Sequence, residues 1–160
     1  MPISPYVRET RRKVGKALLL LPGVTAVIVD GERVLLARQR DTQKWSLIGG
    51  GIEPGEEPRA AVAREVREEL GVDVHIGEIV GAYGGEALMY TYPNGDRVSY
   101  VTVAYRCALP DSTLTIDPDE LVETRWFERD AIDALDRHGW IDRVIDDALV
   151  RVTDAGAPPS

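Results

Sequence analysis

GGIEPGEEPRAAVAREVREELGV, from Gly50 to Val72, is the stretch on which the reading of the whole chain turns. It carries six acidic side chains, Glu53, Glu56, Glu57, Glu65, Glu68 and Glu69, behind a glycine-rich opening. Glycine lets backbone approach a bulky group closely. Glu56-Glu57-Pro58 suits a helix start and Gly71 a helix stop, so the pattern predicts a helix over Arg59 to Leu70. At about 100° per residue, Val62, Ala63, Val66 and Leu70 gather on one stripe, while Glu65, Glu68 and Glu69 share a neighbouring arc. One edge is expected in a core, and the other presents carboxylates suited to a divalent cation beside a phosphate. Glu and Arg on a helix more often form a solvated face, and what distinguishes this one is the spacing of the whole stretch.

That spacing is Gly50, five residues, Glu56, seven residues, then Arg64-Glu65-Val66-Arg67-Glu68-Glu69-Leu70-Gly71-Val72. It resembles the box of the Nudix (MutT-like) hydrolase family without a mismatch, and a pattern this long is far more specific than a lone glycine motif. The resemblance implies an α/β fold, an α/β/α sandwich with a mixed central sheet flanked by helices. It also implies hydrolysis of a phosphoanhydride with Mg²⁺, or Mn²⁺, as cofactor. Such chemistry brings water to phosphorus while charge on the phosphates and leaving oxygen is neutralised. Carboxylates cannot do this alone, but they can hold a cation that does.

Carried over by that resemblance, Glu65, Glu68 and Glu69 are the expected metal ligands, with the carbonyl of Gly49 completing the set and Glu65 a candidate base. Arg64 is expected to orient the acidic cluster through Glu56 or Glu65. Glu53 and Glu57 read as solvated. The segment Asp119-Glu120-Leu121-Val122-Glu123-Thr124-Arg125-Trp126 resembles the loop and strand by which some members bring a further Glu to the site. Glu120 is the preferred residue there for metal or base duty, and Glu123 the weaker one. One departure is Ile48-Gly49-Gly50, where many members have Pro-Gly-Gly; the turn loses a φ restraint but no carboxylate.

At 160 residues the chain suits one domain, expected to span 1–160 with a helical extension over 1–23 and a frayed tail over 153–160. A hydrophobic content of 44% and a charged content of 29% are those of a soluble globular protein. No apolar run approaches the roughly 18–20 residues that span a membrane. One cysteine, Cys107, precludes an internal disulfide, and with no secretory signal the expected location is the cytoplasm. A net charge of −8 argues against a nucleic-acid polymer as partner. A small metal-chelated nucleotide is expected instead.

Around the box, Pro5 to Lys16 reads as a basic helix whose charges form a solvated face, with a contact to substrate phosphate or to a second subunit in a homodimer as the alternatives. Strands are expected at Val24–Val29, Arg33–Arg38 and Trp45–Ile48, with a hairpin at Asp30-Gly31. Further strands are expected at 72–83, 87–92, 97–108 and 121–127, with a turn at Pro93-Asn94-Gly95-Asp96. Two helices broken near His138-Gly139 should follow over 129–150.

The substrate must be chosen outside the box. Arg38 and Arg40 are candidates for terminal phosphates, and Trp45, Tyr90, Tyr83, Tyr92 and Tyr100 for stacking on a base, each against the commoner role in a sheet or core. The favoured substrate is a nucleoside diphosphate linked to another moiety. A nucleoside triphosphate cut to pyrophosphate and monophosphate is the alternative, and a non-catalytic nucleotide sensor a third reading, disfavoured because every box carboxylate is present.

Overall fold

The computed structural model describes residues 4–110 and 113–154, with side chains as far as Val150. In chain order the elements are α1 (Pro5–Val14), β1 (Leu19–Asp30), β2 (Arg33–Gln39), β3 (Trp45–Ser46), β4 (Ile48–Gly51), α2 (Pro58–Leu70), β5 (His75–Tyr83), a 3₁₀ turn (Glu86–Leu88), β6 (Met89–Thr91), β7 (Arg97–Ala108), β8 (Leu121–Glu128), α3 (Arg129–Ile132) and α4 (Ile141–Asp154). No described helix is long and apolar enough to cross a membrane.

The sheet is mixed and is organised on β1. Its neighbour on one side is β7, in parallel from Leu19 opposite Val98 to Ile28 opposite Cys107. On the other side β4 pairs antiparallel, Gly23 with Gly51 through Ala26 with Ile48, and beyond it the Asp30-Gly31 hairpin turns into β2. Gly31 takes a φ of 60°, which that tight turn requires. β5 and β6 extend the sheet from β7, while β3 and β8 extend it from β2. Alternation along the strands then feeds two cores. Val24, Ala26 and Ile28 of β1 pack under α2 with Val62, Val66 and Leu70, whereas Val27 and Val29 face Ile132, Val144 and Ile145 of α3 and α4. The expected α/β/α layering is therefore present.

The first strand, expected from Val24, begins instead at Leu19 and does not break at Pro22-Gly23. β1 runs straight through, because β4 starts pairing only at Gly23 and the missing N–H of Pro22 interrupts no ladder on that side. The expected helical extension over 1–23 accordingly gives way to sheet at Leu19. The strand expected at 45–48 divides into β3 and β4, and the segment before Met89 forms a 3₁₀ turn instead of strand. α1 is capped by the Ser4 hydroxyl, which accepts from the Val7 amide at 3.2 Å, and none of its residues is buried. Arg11 ties the helix to the Arg97 carbonyl at 2.6 Å. The expected frayed tail falls, from residue 155, outside the described residues.

The layer assignment makes a contrast that urea unfolding can measure. Leu70, fully buried under the sheet, should lose about 2–5 kcal/mol of stability as Leu70→Ala. Leu20, 71% exposed on β1, should change by no more than about 0.5 kcal/mol as Leu20→Ser. A comparable loss at both positions would contradict the packing of α2 on β1.

Candidate active site

The helix α2 spans Pro58–Leu70 and ends where the Gly71 amide donates to Arg67 O at 3.0 Å, in the left-handed conformation that glycine favours. Two of its carboxylates face inward with the apolar stripe. Glu65 and Glu69 are each only 6% exposed, while the Glu68 side chain is 55% exposed. What receives Glu65 is the glycine strand β4. A Cβ placed on Gly50 would lie 2.3 Å from the Glu65 carboxyl carbon, and one on Gly49 would lie 2.2 Å from Val24 O. Neither glycine has a positive φ, so close approach alone excludes larger residues here. Ile48, where many relatives of the box pattern carry proline, is buried in the core and paired with Ala26; the ladder supplies the restraint the ring would have given.

Arg64 is consumed by scaffolding. Its Nε and Nη2 bind the two oxygens of Glu56 at 2.8 and 2.9 Å, Nη1 binds Glu65 Oε1 at 2.7 Å, and Nη2 also donates to Gly51 O at 2.8 Å. A weaker contact reaches Glu68 Oε2 at 3.4 Å. Glu56 in turn accepts from the Glu53 amide at 3.0 Å, closing the loop before the helix. One guanidinium thus fixes the loop, the glycine strand and the first inward carboxylate. Its hydrogen bonds hold the Glu56 carboxyl below the usual carboxylate range.

The inward carboxylates are perturbed in the opposite sense. Burial pushes the Glu69 carboxyl well up, the charges of Glu120 and Glu65 push further, and the Gly49 amide only partly opposes them. Glu65 is raised by burial against the pull of Arg64, with Glu68 and Glu120 adding repulsion. Glu120 is also raised, burial first, with Asp117, Glu68 and Asp41 among its neighbours. Four carboxylates from two distant segments therefore share one field. Among the described residues no three of them already form a cage for an ion. Arg64 draws Glu65 aside, and Glu68 stands outward on a long side chain. The donor set nonetheless fits a hard cation: it is all oxygen, partly desolvated and short of positive charge.

The other sequence-predicted residues are placed differently. Trp45 is core, 8% exposed, edge-on to Phe127 at 5.0 Å and beneath Arg125, so it does not present a face for stacking. Arg38 pairs with Glu123 at 3.0 Å, so each of the two is occupied by the other. Arg40 is turned to the Pro118 carbonyl and to Leu121 O. Tyr90 is half-buried, its ring 6.2 Å from Tyr100 and 5.9 Å from His138. Trp140 is near enough to influence the Tyr90 hydroxyl, yet its buried indole N–H makes no hydrogen bond among the described residues. His138 Nε2 lies 2.9 Å from Gln39 Oε1, and burial, with the charge of Lys44, lowers the pKa of the ring. His138 and Trp140 were not among the expected site residues. The only hint was their position at the predicted break between the last two helices.

Comparisons with known proteins identify the family. A NUDIX domain family model matches residues 19–149. The NAD-capped RNA hydrolase NudC of Stutzerimonas stutzeri is 30% identical over 118 residues, 72% of this chain and 39% of that protein. The chain thus spans about two fifths of the length of that relative. The nucleoside triphosphatase NudI of an Enterobacter species is 30% identical over 96 residues, 58% of this chain and 67% of that protein. Among solved structures, the MutT protein of Methanosarcina mazei superposes with a TM-score of 0.68 at 21% identity, covering 84% of this chain and 96% of that one. The chain belongs to the NUDIX family.

The buried carboxylates make a prediction for the metal-free protein. A carboxyl whose folded pKa is raised costs nothing below its unfolded pKa and opposes folding fully above its folded pKa. In EDTA at pH 8, Glu69→Gln should therefore melt higher than wild type, by about 2–4 °C for each kcal/mol relieved. The gain should vanish at a pH below the ordinary carboxylate range. A lower melting temperature for the variant at pH 8 would show that the buried charge is already compensated.

Proposed function

We propose that the chain is a divalent-metal-dependent pyrophosphohydrolase that cleaves a phosphoanhydride bond in a nucleoside diphosphate linked to another moiety, with Mg²⁺ as cofactor and Mn²⁺ able to replace it. The observation that carries this reading is the partly desolvated group of Glu65, Glu69 and Glu120, with Glu68 at its rim, seated on glycines of β4. Glu65, Glu68, Glu69 and the Gly49 carbonyl would hold the cation. When bound it supplies charge neutralisation for the phosphates and activation of the attacking water.

The chain's own groups do the rest. Arg64 stays with Glu56 and Glu65 and keeps the helix in register with the glycine strand. Glu120 or Glu65, each with a raised pKa, accepts the proton from water. Tyr90 and Tyr100, with His138 and Trp140 alongside, form the group best suited to a nucleobase. Tyr100 stands near the glycines along the sheet: it pairs with Leu21, two residues before Gly23, whose partner in β4 is Gly51. The relative named for NAD-capped RNA favours a diphosphate joining two moieties. The relative named a nucleoside triphosphatase favours the second reading, a triphosphate cut to pyrophosphate and monophosphate.

A panel of dinucleotides, nucleotide sugars, an NAD-capped oligonucleotide and nucleoside triphosphates, with Mg²⁺ or Mn²⁺ and products separated by chromatography, distinguishes the two. Cleavage of linked diphosphates into two monophosphorylated products is expected; pyrophosphate from triphosphates alone would favour the second. Glu65→Gln and Glu68→Gln should each lower kcat by roughly 10²–10⁴-fold without unfolding the protein. Near-native turnover in both, at saturating Mg²⁺, would remove the assignment.

A further inference from the structure

Glu120 does not belong to α2, so something must hold its loop against the helix. Two main-chain bonds join them: the Thr115 amide donates to Leu70 O at 2.9 Å and the Asp117 amide to Glu69 O at 3.0 Å. These satisfy carbonyls that the end of a helix leaves without partners. Inside the loop Asp117 is the hub. Its carbonyl accepts from the Glu120 and Leu121 amides at 3.2 and 2.9 Å, and its Oδ1 accepts from the Asp119 amide at 2.9 Å.

The opposite wall is Arg40, at the start of the β2–β3 connection. Its amide donates to Glu120 O at 2.8 Å, its Nε donates to Pro118 O, and its Nη2 reaches Leu121 O at 3.4 Å. Arg40 is itself fixed, since Gln43 Nε2 donates to Arg40 O at 2.7 Å. One residue therefore grips the loop immediately before, at and immediately after the segment that carries the Glu120 carboxylate. From these contacts we infer that Arg40 is a positioning residue: its guanidinium, forked across the Pro118 and Leu121 carbonyls, sets the backbone from which Glu120 reaches the carboxylates of α2. This rests on the reading in which Glu120 serves the hydrolysis.

The chemistry explains why arginine stands here. A planar guanidinium presents several donors in a fixed fork and can satisfy two carbonyls at once, whereas an ammonium is a single compact point on a flexible stem. The same orientation turns the side chain from the role expected of it in the sequence, a direct contact with terminal phosphate. A residue that binds phosphate and one that orients a carboxylate leave different kinetic signatures.

Two measurements on wild type, Arg40→Ala, Arg40→Lys, Glu120→Gln and the Arg40→Ala/Glu120→Gln double variant test the inference. Hydrogen exchange followed residue by residue should show at least roughly tenfold faster exchange of the Glu120 and Leu121 amides in Arg40→Ala, with α2 unchanged. Steady-state kinetics with Mg²⁺, on a substrate that wild type hydrolyses, should show kcat falling about tenfold in Arg40→Ala, KM staying within about twofold, and Arg40→Lys recovering part of the loss. In the Glu120→Gln background Arg40→Ala should change nothing further. Unchanged exchange, a raised KM at constant kcat, or an equal loss in the Glu120→Gln background would each overturn it. Absence of hydrolysis by wild type on every substrate would instead overturn the proposed function, and the exchange data would still decide whether Arg40 holds the loop.

Discussion

A carboxylate pressed onto the glycine run of β4, Gly49 to Gly51, is the constraint from which the rest of the molecule follows. Glu65 can sit where it does only because Gly50 offers no Cβ, and β4 can pair closely with β1 only because Gly49 offers none either. The register of α2 over the sheet is thereby fixed by polar contact as well as by the apolar stripe. Removing a charged group from water is unfavourable unless it is paired. Arg64 meets that need for Glu65 and Glu56 together, but it does not extend to Glu69, which faces Glu120 and the Gly49 amide. The site is assembled with an excess of negative charge, and stability is given up at the place where a cation is wanted.

Much of this was legible in the chain because it is local. The helix over Pro58–Leu70 differs by one residue from the sequence expectation, and β7 matches it at both ends, since periodicity and turn chemistry act within a few residues. The resemblance of the box implies an orienting role for Arg64, and the residue hydrogen-bonds both Glu56 and Glu65. Strand ends were less legible. Pro22 lies before the expected start of the first strand at Val24, yet whether a proline interrupts a strand depends on which neighbour lies on its N–H side, and that is a property of the sheet.

The residues proposed to face the substrate were the least legible, for the same reason. Tyr90 comes from β6, Tyr100 from β7, and His138 and Trp140 from the connection between α3 and α4. No spacing in the sequence relates them. Trp45 shows the reverse error: an aromatic beside the box is attractive as a stacking platform, but alternation along the short β3 turns it toward Phe127 and the α3–α4 core. Arg40 belongs with them. Its charge is visible in the sequence, but its partners lie on the far side of the box and of β7.

The parallel pairing of β1 with β7 also governs the order in which the chain can become a protein. Leu19 must wait for Val98, and Ile28 for Cys107, before the central ladder closes. The glycine strand and the helix that bears the carboxylates are made long before that. During synthesis α2 has only an antiparallel fragment of sheet beneath it, and the Glu120 loop that covers its last turn comes later still. Contacts so far apart in sequence make closure slow and leave apolar strand edges open in the interval.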